Sequence, residues 1–358
     1  MTNKKNIGIL SYWGFGRGMC QVTLNYVKTL KDDYNVFILK QLDNPIEAPF
    51  DKEDVHVTEY PEYLVDKEFF KKWITDNKLD AVFFNEYKQW TNEPDDLVKE
   101  AKKLGCKAYA AFLTMERYKP EQTYVYDRIF CPTVTMERLM RQTKVRNFTY
   151  IPYSLDLNEF PESIRKFPED KKFRFFHPGG FGGVQDRKQT REVIEAFRLL
   201  NNENTELIVT SQKPLNVLLQ PKNIKIIDKN LSREEIVKLY YESDCAVLPS
   251  KWESIGIPIL ESLAASIPVV TMDQAPMNEF VNMGKNGYLC APVIKKYDEI
   301  SVYAAEVEAS ELKAKMESVL NKYLYPLLCK NSRFIVEEFY DMEKNKHYLL
   351  DFLKEDLK

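Results

Sequence analysis

The sequence predicts an α/β protein made of two doubly wound parallel sheets in series, and three observations carry that reading. Short apolar runs alternate with amphipathic segments along most of the chain, the rhythm of strands joined by crossover helices. The rhythm breaks once, over Ile151–Lys172, "IPYSLDLNEFPESIRKFPEDKK", where three prolines and many charges interrupt it. At 358 residues the chain also exceeds what one ordinary core reaches, so length favours two domains.

Strands of the first half are expected at "NIGILSYW", "NVFILK", "VHVTEY", "DAVFFNE", "KAYAAFLT", "RIFCPT" and "FTYIPY". A helix is expected from Gln21 to Leu30, with Val22, Tyr26, Val27 and Leu30 on one face. After the break come strand "FRFFHP", helix 187–201, strands "ELIVTS" and "IKIID", helix 232–242, strand "CAVLPS", helix 258–265 and strand "PVVTM". Domains are drawn at 1–165 and 166–330. The charged, helix-like segment 331–358 follows, with packing back onto the N-terminal domain as one arrangement for it. Two such domains imply a cleft where the carboxyl ends of both sheets face each other.

Composition narrows the classes. With 44% hydrophobic and 29% charged residues the chain reads as globular, and a net charge of -3 gives no reason to expect nucleic acid. The six cysteines are dispersed without a C-x-x-C pair, which suggests reduced, packed thiols rather than a zinc site or disulfide framework. "MTNKKNIGIL" is too short an apolar run for a signal peptide, and no run approaches the ~20 residues of a membrane span, so a cytoplasmic protein is expected. "MERLMRQTKVR", Met136–Arg146, is basic with interspersed apolar residues and offers a peripheral contact with an anionic inner membrane face. A crossover helix is its plainer reading and the preferred one.

The glycine loops weaken two common cofactor readings, NAD and ATP. "GFGRGM" puts Met19, and "GGFGGVQ" puts Gln185, where a dinucleotide fingerprint needs its third glycine, and neither carries the Gly-Lys-Ser/Thr of a phosphate-binding loop. Gly14, Gly16, Gly179 and Gly180 still permit close backbone approach by a ligand after a strand. His56 and His347 lie outside any motif, and His177 reads as structural or cleft-lining rather than as a metal ligand.

The chemistry concentrates in "PSKWESIGIPILESLAASIPVV", Pro249–Val270. Pro258 suits the first turn of a helix, so Glu253 falls in the loop before it and Glu261 about one turn inside. Backbone amides near Ser254, Ile255 and Gly256 would then face an anion, with a carboxylate on either side to grip hydroxyl groups. A phosphate flanked by polyols describes a nucleotide sugar.

Glu253 to Glu261 resembles the E-x7-E motif of retaining glycosyltransferases with the GT-B fold, especially glycosyltransferase family 4. The resemblance extends over "LSREEIVKLYYESDCAVLPSKWESIGIPILESLAASIPVV", downstream to "NEFV" and "NGYLCAP", and upstream to "HPGGFGGVQDRKQTREVIEAF" and "IPYSLDLNEF". It implies two Rossmann-like domains, an acceptor-side N-terminal one and a nucleotide-sugar C-terminal one. It also implies that Arg187 and Lys188 neutralise the donor diphosphate and that Glu253 acts near the transferred sugar. Ser254, Ile255 and Gly256 would supply backbone contacts, Glu261 would hold ribose hydroxyls, and Gly14, Phe15 and Gly16 would close over the diphosphate. Gly179 and Gly180 join the donor side; Trp13, Arg17 and Glu116 are the acceptor-side candidates.

Two departures stand out. "AFLTMERY" offers Thr114, Met115, Glu116 and Arg117 where many relatives carry a histidine, and Ser266 replaces the usual glycine in "AASIPVV".

The implied function is transfer of a sugar, with retention, from a nucleotide-sugar donor to a glycan, lipid-linked or protein acceptor. The alternatives are a non-catalytic nucleotide-sugar-binding subunit and another GT-B enzyme such as an epimerase. No Asp-x-Asp triplet follows an expected strand, so no metal or cofactor is expected; Arg187 and Lys188, placed on a first helical turn, would do a cation's work.

Overall fold

A computed structural model describes residues 4–12, 18–41, 55–62, 65–85, 95–182, 186–215 and 222–358. The chain forms two compact units: Met1–Ser154 with Met342–Lys358, and Leu155–Asp341.

In the first unit the described strands are β1 (Asn6–Tyr12), β2 (Asn35–Gln41), β3 (Val55–Tyr60), β4 (Ala81–Asn85), β5 (Lys107–Phe112), β6 (Arg128–Cys131) and β7 (Phe148–Tyr150). They form a sheet ordered β3-β2-β1-β4-β5-β6-β7, with every neighbouring pair parallel. β4 is buried at every position, as a strand covered on both faces must be, which is why it reads in sequence as a continuous apolar run. The helices are α1 (Gly18–Leu30), α2 (Lys67–Asp76), α3 (Asp95–Lys103) and α4 (Val134–Gln142). Asp66 caps α2 by accepting from the Phe69 amide, and Thr133 caps α4 by accepting from the Met136 amide. In α4, Met136 and Met140 are buried, and Arg141 lies over the Phe148 ring and pairs with Glu137. Its apolar side is thus committed to the unit's own core, and the helix is the crossover between β6 and β7.

The second unit repeats the plan. Its strands are β8 (Phe173–Gly180), β9 (Thr205–Ser211), β10 (Ile224–Ile227), β11 (Cys245–Leu248), β12 (Val269–Met272) and β13 (Gly287–Cys290), and a separate hairpin pairs β14 (Val293–Lys296) with β15 (Tyr303–Glu306). The main sheet is ordered β10-β9-β8-β11-β12-β13 and is parallel throughout. Its helices are α5 (Thr190–Leu200), α6 (Arg233–Glu242), α7 (Ile257–Ala264), α8 (Met277–Phe280), α9 (Ala309–Val319) and α10 (Tyr325–Phe339). A complete capping box between Ser232 and Glu235 starts α6. Both sheets have the strand order of doubly wound, Rossmann-like domains, the architecture of the GT-B fold.

The sequence boundary after Arg165 falls inside the second unit. The Arg165 guanidinium donates to the carbonyls of Tyr241, Ser243 and Ala265, so this residue is tied to the sheet that follows it. The last segment also divides differently from 331–358. α10 stays in the second unit, where Tyr325 stacks edge-on against Phe173 and donates to the Asp244 carbonyl.

The final helix, α11 (Met342–Asp356), belongs to the first unit. Leu349, Leu350 and Leu353 join the cluster of Ile7, Ile9, Phe83 and Phe130, and Phe352 meets Tyr109 and Phe130 edge-on. Leu353 is fully buried, so Leu353→Ala should destabilise this unit by about 2–5 kcal/mol, the range for a buried leucine truncated to alanine. Urea denaturation followed by tryptophan fluorescence measures the shift; an unchanged midpoint would show that α11 is peripheral to the core.

Candidate functional site

In the second sheet β8 and β11 are neighbours, and the strand order reverses between them. Side chains leaving the carboxyl ends of two such strands line the crevice where open α/β sheets bind ligands. The described residues that follow them are 181–182 and 186–189 after β8, and 249–256 after β11.

Glu253 lies at the centre. It is 9% exposed, yet its carboxylate is ionised, because Arg187 donates to Oε2 at 2.7 Å and Lys188 donates to Oε1 at 2.5 Å. Burial alone would raise its pKa; the two cations outweigh that and hold it at about 2. Lys188 is itself buried, with Ser250 Oγ at 3.4 Å, and burial lowers its pKa against the pull of Glu253. Arg187 also donates to the Trp252 carbonyl at 3.2 Å. The three groups sum to a single positive charge, so the cluster favours an anion.

Local structure fixes the loop that carries Glu253. Trp252 is buried with Ile300 and Ala304, with Tyr297 and Val302 packed against them. The Lys251 amide donates to the Arg187 carbonyl at 2.8 Å, and the Ala305 amide donates to the Lys251 carbonyl at 2.9 Å. The Lys251 ammonium pairs with Glu306 at 3.1 Å. Half-buried Ser254 and buried Ile255 lead to Gly256, the residue before α7. Gly256 has φ 94°, a left-handed backbone that a side chain would strain, and Pro258 sits in the first helical turn.

Glu261 points from α7 into a different environment. Arg233 donates to its Oε1 and Tyr240 to its Oε2 at 3.0 Å; Arg233 also bonds Glu159 and lies over the Phe160 ring. A carboxylate has about four lone-pair sites, so these two donors orient Glu261 and leave acceptor capacity for ligand hydroxyls. At the end of β8, Gly179 runs so close to β9 that a Cβ there would sit 2.9 Å from the Thr210 carbonyl oxygen, and Gly180 follows at φ 55°.

The donor residues expected in the second domain therefore fall into one unit, with Arg187, Lys188 and Glu253 in direct contact. One expectation needs correction: Arg187 and Lys188 are not on a first helical turn. They lie in the turn before α5, because Gln189 adopts a left-handed conformation (φ 52°) and the helix starts only at Thr190. Glu116 is half-buried in a short turn, Met115–Arg117, of the first unit after β5. Trp13, Gly14, Phe15, Gly16 and Arg17 lie outside the described residues.

Sequence reasoning missed Gln189, Ser250, Arg233, Tyr240 and Glu306. Ser250 stood inside the quoted motif, and Gln189, Arg233 and Tyr240 inside the resemblance; Glu306 carried no signal. Among the described residues, no group of three or more His, Cys, Asp or Glu is arranged to hold a metal ion, and no helix is long and apolar enough to cross a membrane.

Residues 162–323 match the family described as Glycosyl transferases group 1. N-acetyl-alpha-D-glucosaminyl L-malate synthase of Bacillus anthracis is 28% identical over 109 residues, 29% of this chain and 29% of that protein. Alpha-monoglucosyldiacylglycerol synthase of Streptococcus pneumoniae is 26% identical over 255 residues, 64% of this chain and 55% of that protein. The matched stretches thus span between under a third and about half of these curated relatives. Among solved structures, HepE of Anabaena in complex with UDP and glucose superposes with a TM-score of 0.75 at 14% identity, covering 98% of this chain and 100% of that one.

His177 ties the site to the sheet. Fully buried on β8, it bonds the Val247 carbonyl through Nδ1 at 2.7 Å and Thr190 through Nε2 at 3.0 Å. Burial lowers its pKa to about 4, opposed by the Val247 hydrogen bond and helped by nearby Lys188. The unfolded chain, with a histidine pKa of about 6.5, then binds the extra proton between pH 4 and 6.5, so this residue makes stability rise with pH across that window and adds nothing above it. The swing should be about 3 kcal/mol. Urea unfolding from pH 4 to 7 should show a shallower pH dependence in His177→Gln than in the unaltered protein, and identical slopes would refute the assignment.

Proposed function

We propose that the chain is a retaining, metal-independent glycosyltransferase that moves a sugar from a nucleoside-diphosphate sugar to a glycan, lipid-linked or protein acceptor. The observation that carries the reading is the desolvated cluster of Arg187, Lys188 and Glu253 at the reversal of strand order, before the N-terminus of α7. The family match over 162–323 and the UDP held by the similarly folded HepE support the donor class.

On this reading Arg187, Lys188 and the amides of Ser254, Ile255 and Gly256 hold the diphosphate. The bond from the anomeric carbon to the diphosphate oxygen breaks, negative charge grows on the leaving group, and positive charge develops on the sugar. Preorganised cations stabilise the first, and Glu253, held ionised, faces the second. The oxygen of an acceptor hydroxyl forms the new bond to the anomeric carbon, and its proton passes to the departing diphosphate oxygen, where the electrons of the broken bond have gone. Retention rests on the E-x7-E resemblance, and Glu116 is proposed on the acceptor side. Glu261, oriented by Arg233 and Tyr240, takes the ribose hydroxyls.

Transfer should persist in excess EDTA, measured as nucleoside-diphosphate release from a panel of nucleotide sugars. Arg187→Ala and Lys188→Ala should each lower it by ~10²-fold or more, the scale of one lost charge-stabilising group. Activity abolished by EDTA and restored by magnesium or manganese would sink metal independence.

The two glutamates should separate. Glu253→Gln removes the negative charge that shares the two cations, so it should lose turnover while binding UDP no more weakly than the unaltered protein. Glu261→Gln should weaken UDP binding together with turnover. Equal losses of UDP affinity in calorimetry would contradict this division.

A further inference from the structure

We propose that Gln189 is a positioning residue, which locks the turn bearing Arg187 and Lys188 against the Pro249–Glu253 loop and the end of β15. The inference rests on the nucleotide-sugar reading of that cluster and adds a residue the reading requires.

Gln189 is 1% exposed, and its side chain makes every kind of hydrogen bond an amide can make. Nε2 donates to the Pro249 carbonyl at 2.5 Å and to the Ala305 carbonyl at 3.0 Å, while Oε1 accepts from the Val307 amide at 3.0 Å. These partners come from two segments, the loop after β11 and the strand end of the β14–β15 hairpin. The same segments are joined by the backbone ladder in which Ala305 donates to Lys251 and Lys251 donates to Arg187. Side chain and ladder together close a ring around Lys188.

The turn needs such a lock. Asp186 and Gln189 both have left-handed backbones, at φ 47° and φ 52°, a conformation that costs a non-glycine residue roughly 1 kcal/mol or more. It persists where surrounding bonds over-determine it. A fully satisfied buried network specifies one geometry, whereas an apolar side chain at 189 would take a partner away from Pro249, Ala305 and Val307. Two ammonium- and guanidinium-bearing side chains must leave this turn and meet one carboxylate, and misplacement by about 1 Å at a reacting site costs on the order of 10²-fold in rate. The hairpin is accordingly part of the site, although its first strand is exposed along its whole length.

Gln189→Glu keeps the shape and turns a donor toward two carbonyls into an acceptor. Gln189→Asn keeps the amide on a shorter arm and tolerates the left-handed backbone well, so it guards against a mere folding failure. Hydrogen exchange at neutral pH reads the lock directly: both variants should lose protection together at 186–190, 249–253 and 303–308, with the rest of the second sheet unchanged. Calorimetric titration with UDP reads the consequence, a loss of about 10-fold in affinity, the scale of one charge-assisted hydrogen bond, while uridine binds the variants as it binds the unaltered protein.

Unchanged protection in both variants overturns the lock, and lost protection with unchanged UDP affinity overturns the positioning role. If the unaltered protein binds UDP no better than uridine, the diphosphate reading of the cluster fails, while exchange still decides whether Gln189 holds the three segments together.

Discussion

The ion cluster of Glu253 with Arg187 and Lys188 is the constraint around which the second unit is arranged. Charges taken out of water are costly, and a buried charge that loses its partner costs several kcal/mol. The three groups therefore have to arrive together from two loops that are far apart in sequence. That requirement explains features that look unrelated. The left-handed Gln189 re-aims Lys188, the buried Trp252 anchors the loop before Glu253, and the Lys251–Glu306 pair ties that loop to a hairpin outside the main sheet.

Two glutamates eight positions apart thus live under opposite conditions. Glu253 shares its charge with two cations and is kept ionised by them far below ordinary carboxylate pKa values. Glu261 is oriented through one donor on each oxygen, by an arginine that already has a second carboxylate partner in Glu159. An anion is favoured beside the first and neutral hydroxyl groups beside the second. On the proposed reading, one short motif in this way reads both a phosphate and a sugar ring without a metal ion.

Much of this was legible in the sequence, for physical reasons. Parallel strands covered on both faces read as near-continuous apolar runs, so β4 and β11 stand out, and Pro258 marks the start of α7 because proline suits a first turn. The turn before α5 was misread as helix because its left-handed residues, Asp186 and Gln189, are not glycines and give no breaker signal. Ser266 is the converse: it has φ 60°, the conformation that explains why a glycine would suit that position, and so the departure noted there concerns backbone strain. β14 was invisible because an exposed "VIKK" carries no burial pattern. The return of α11 to the first unit was one arrangement expected for 331–358, but the division after α10 was not legible, since a charged amphipathic helix shows that it has an apolar face and not what covers it.

The pairing of both cations with Glu253 also bears on how such a site would accelerate transfer. An interaction raises the rate only if it is stronger in the transition state than in the bound donor. Cations with no carboxylate beside them would grip a ground-state diphosphate strongly and gain little more as the bond breaks. Here each cation already gives a hydrogen bond to Glu253, which tempers its hold on the intact donor. As negative charge accumulates on the departing oxygen, the balance between the two anions shifts toward the leaving group. At the same moment Glu253, less fully neutralised, becomes the stronger partner for the positive charge growing on the sugar. On the proposed reading, then, the same three residues respond to both ends of the breaking bond, and their contact with one another is what couples those responses.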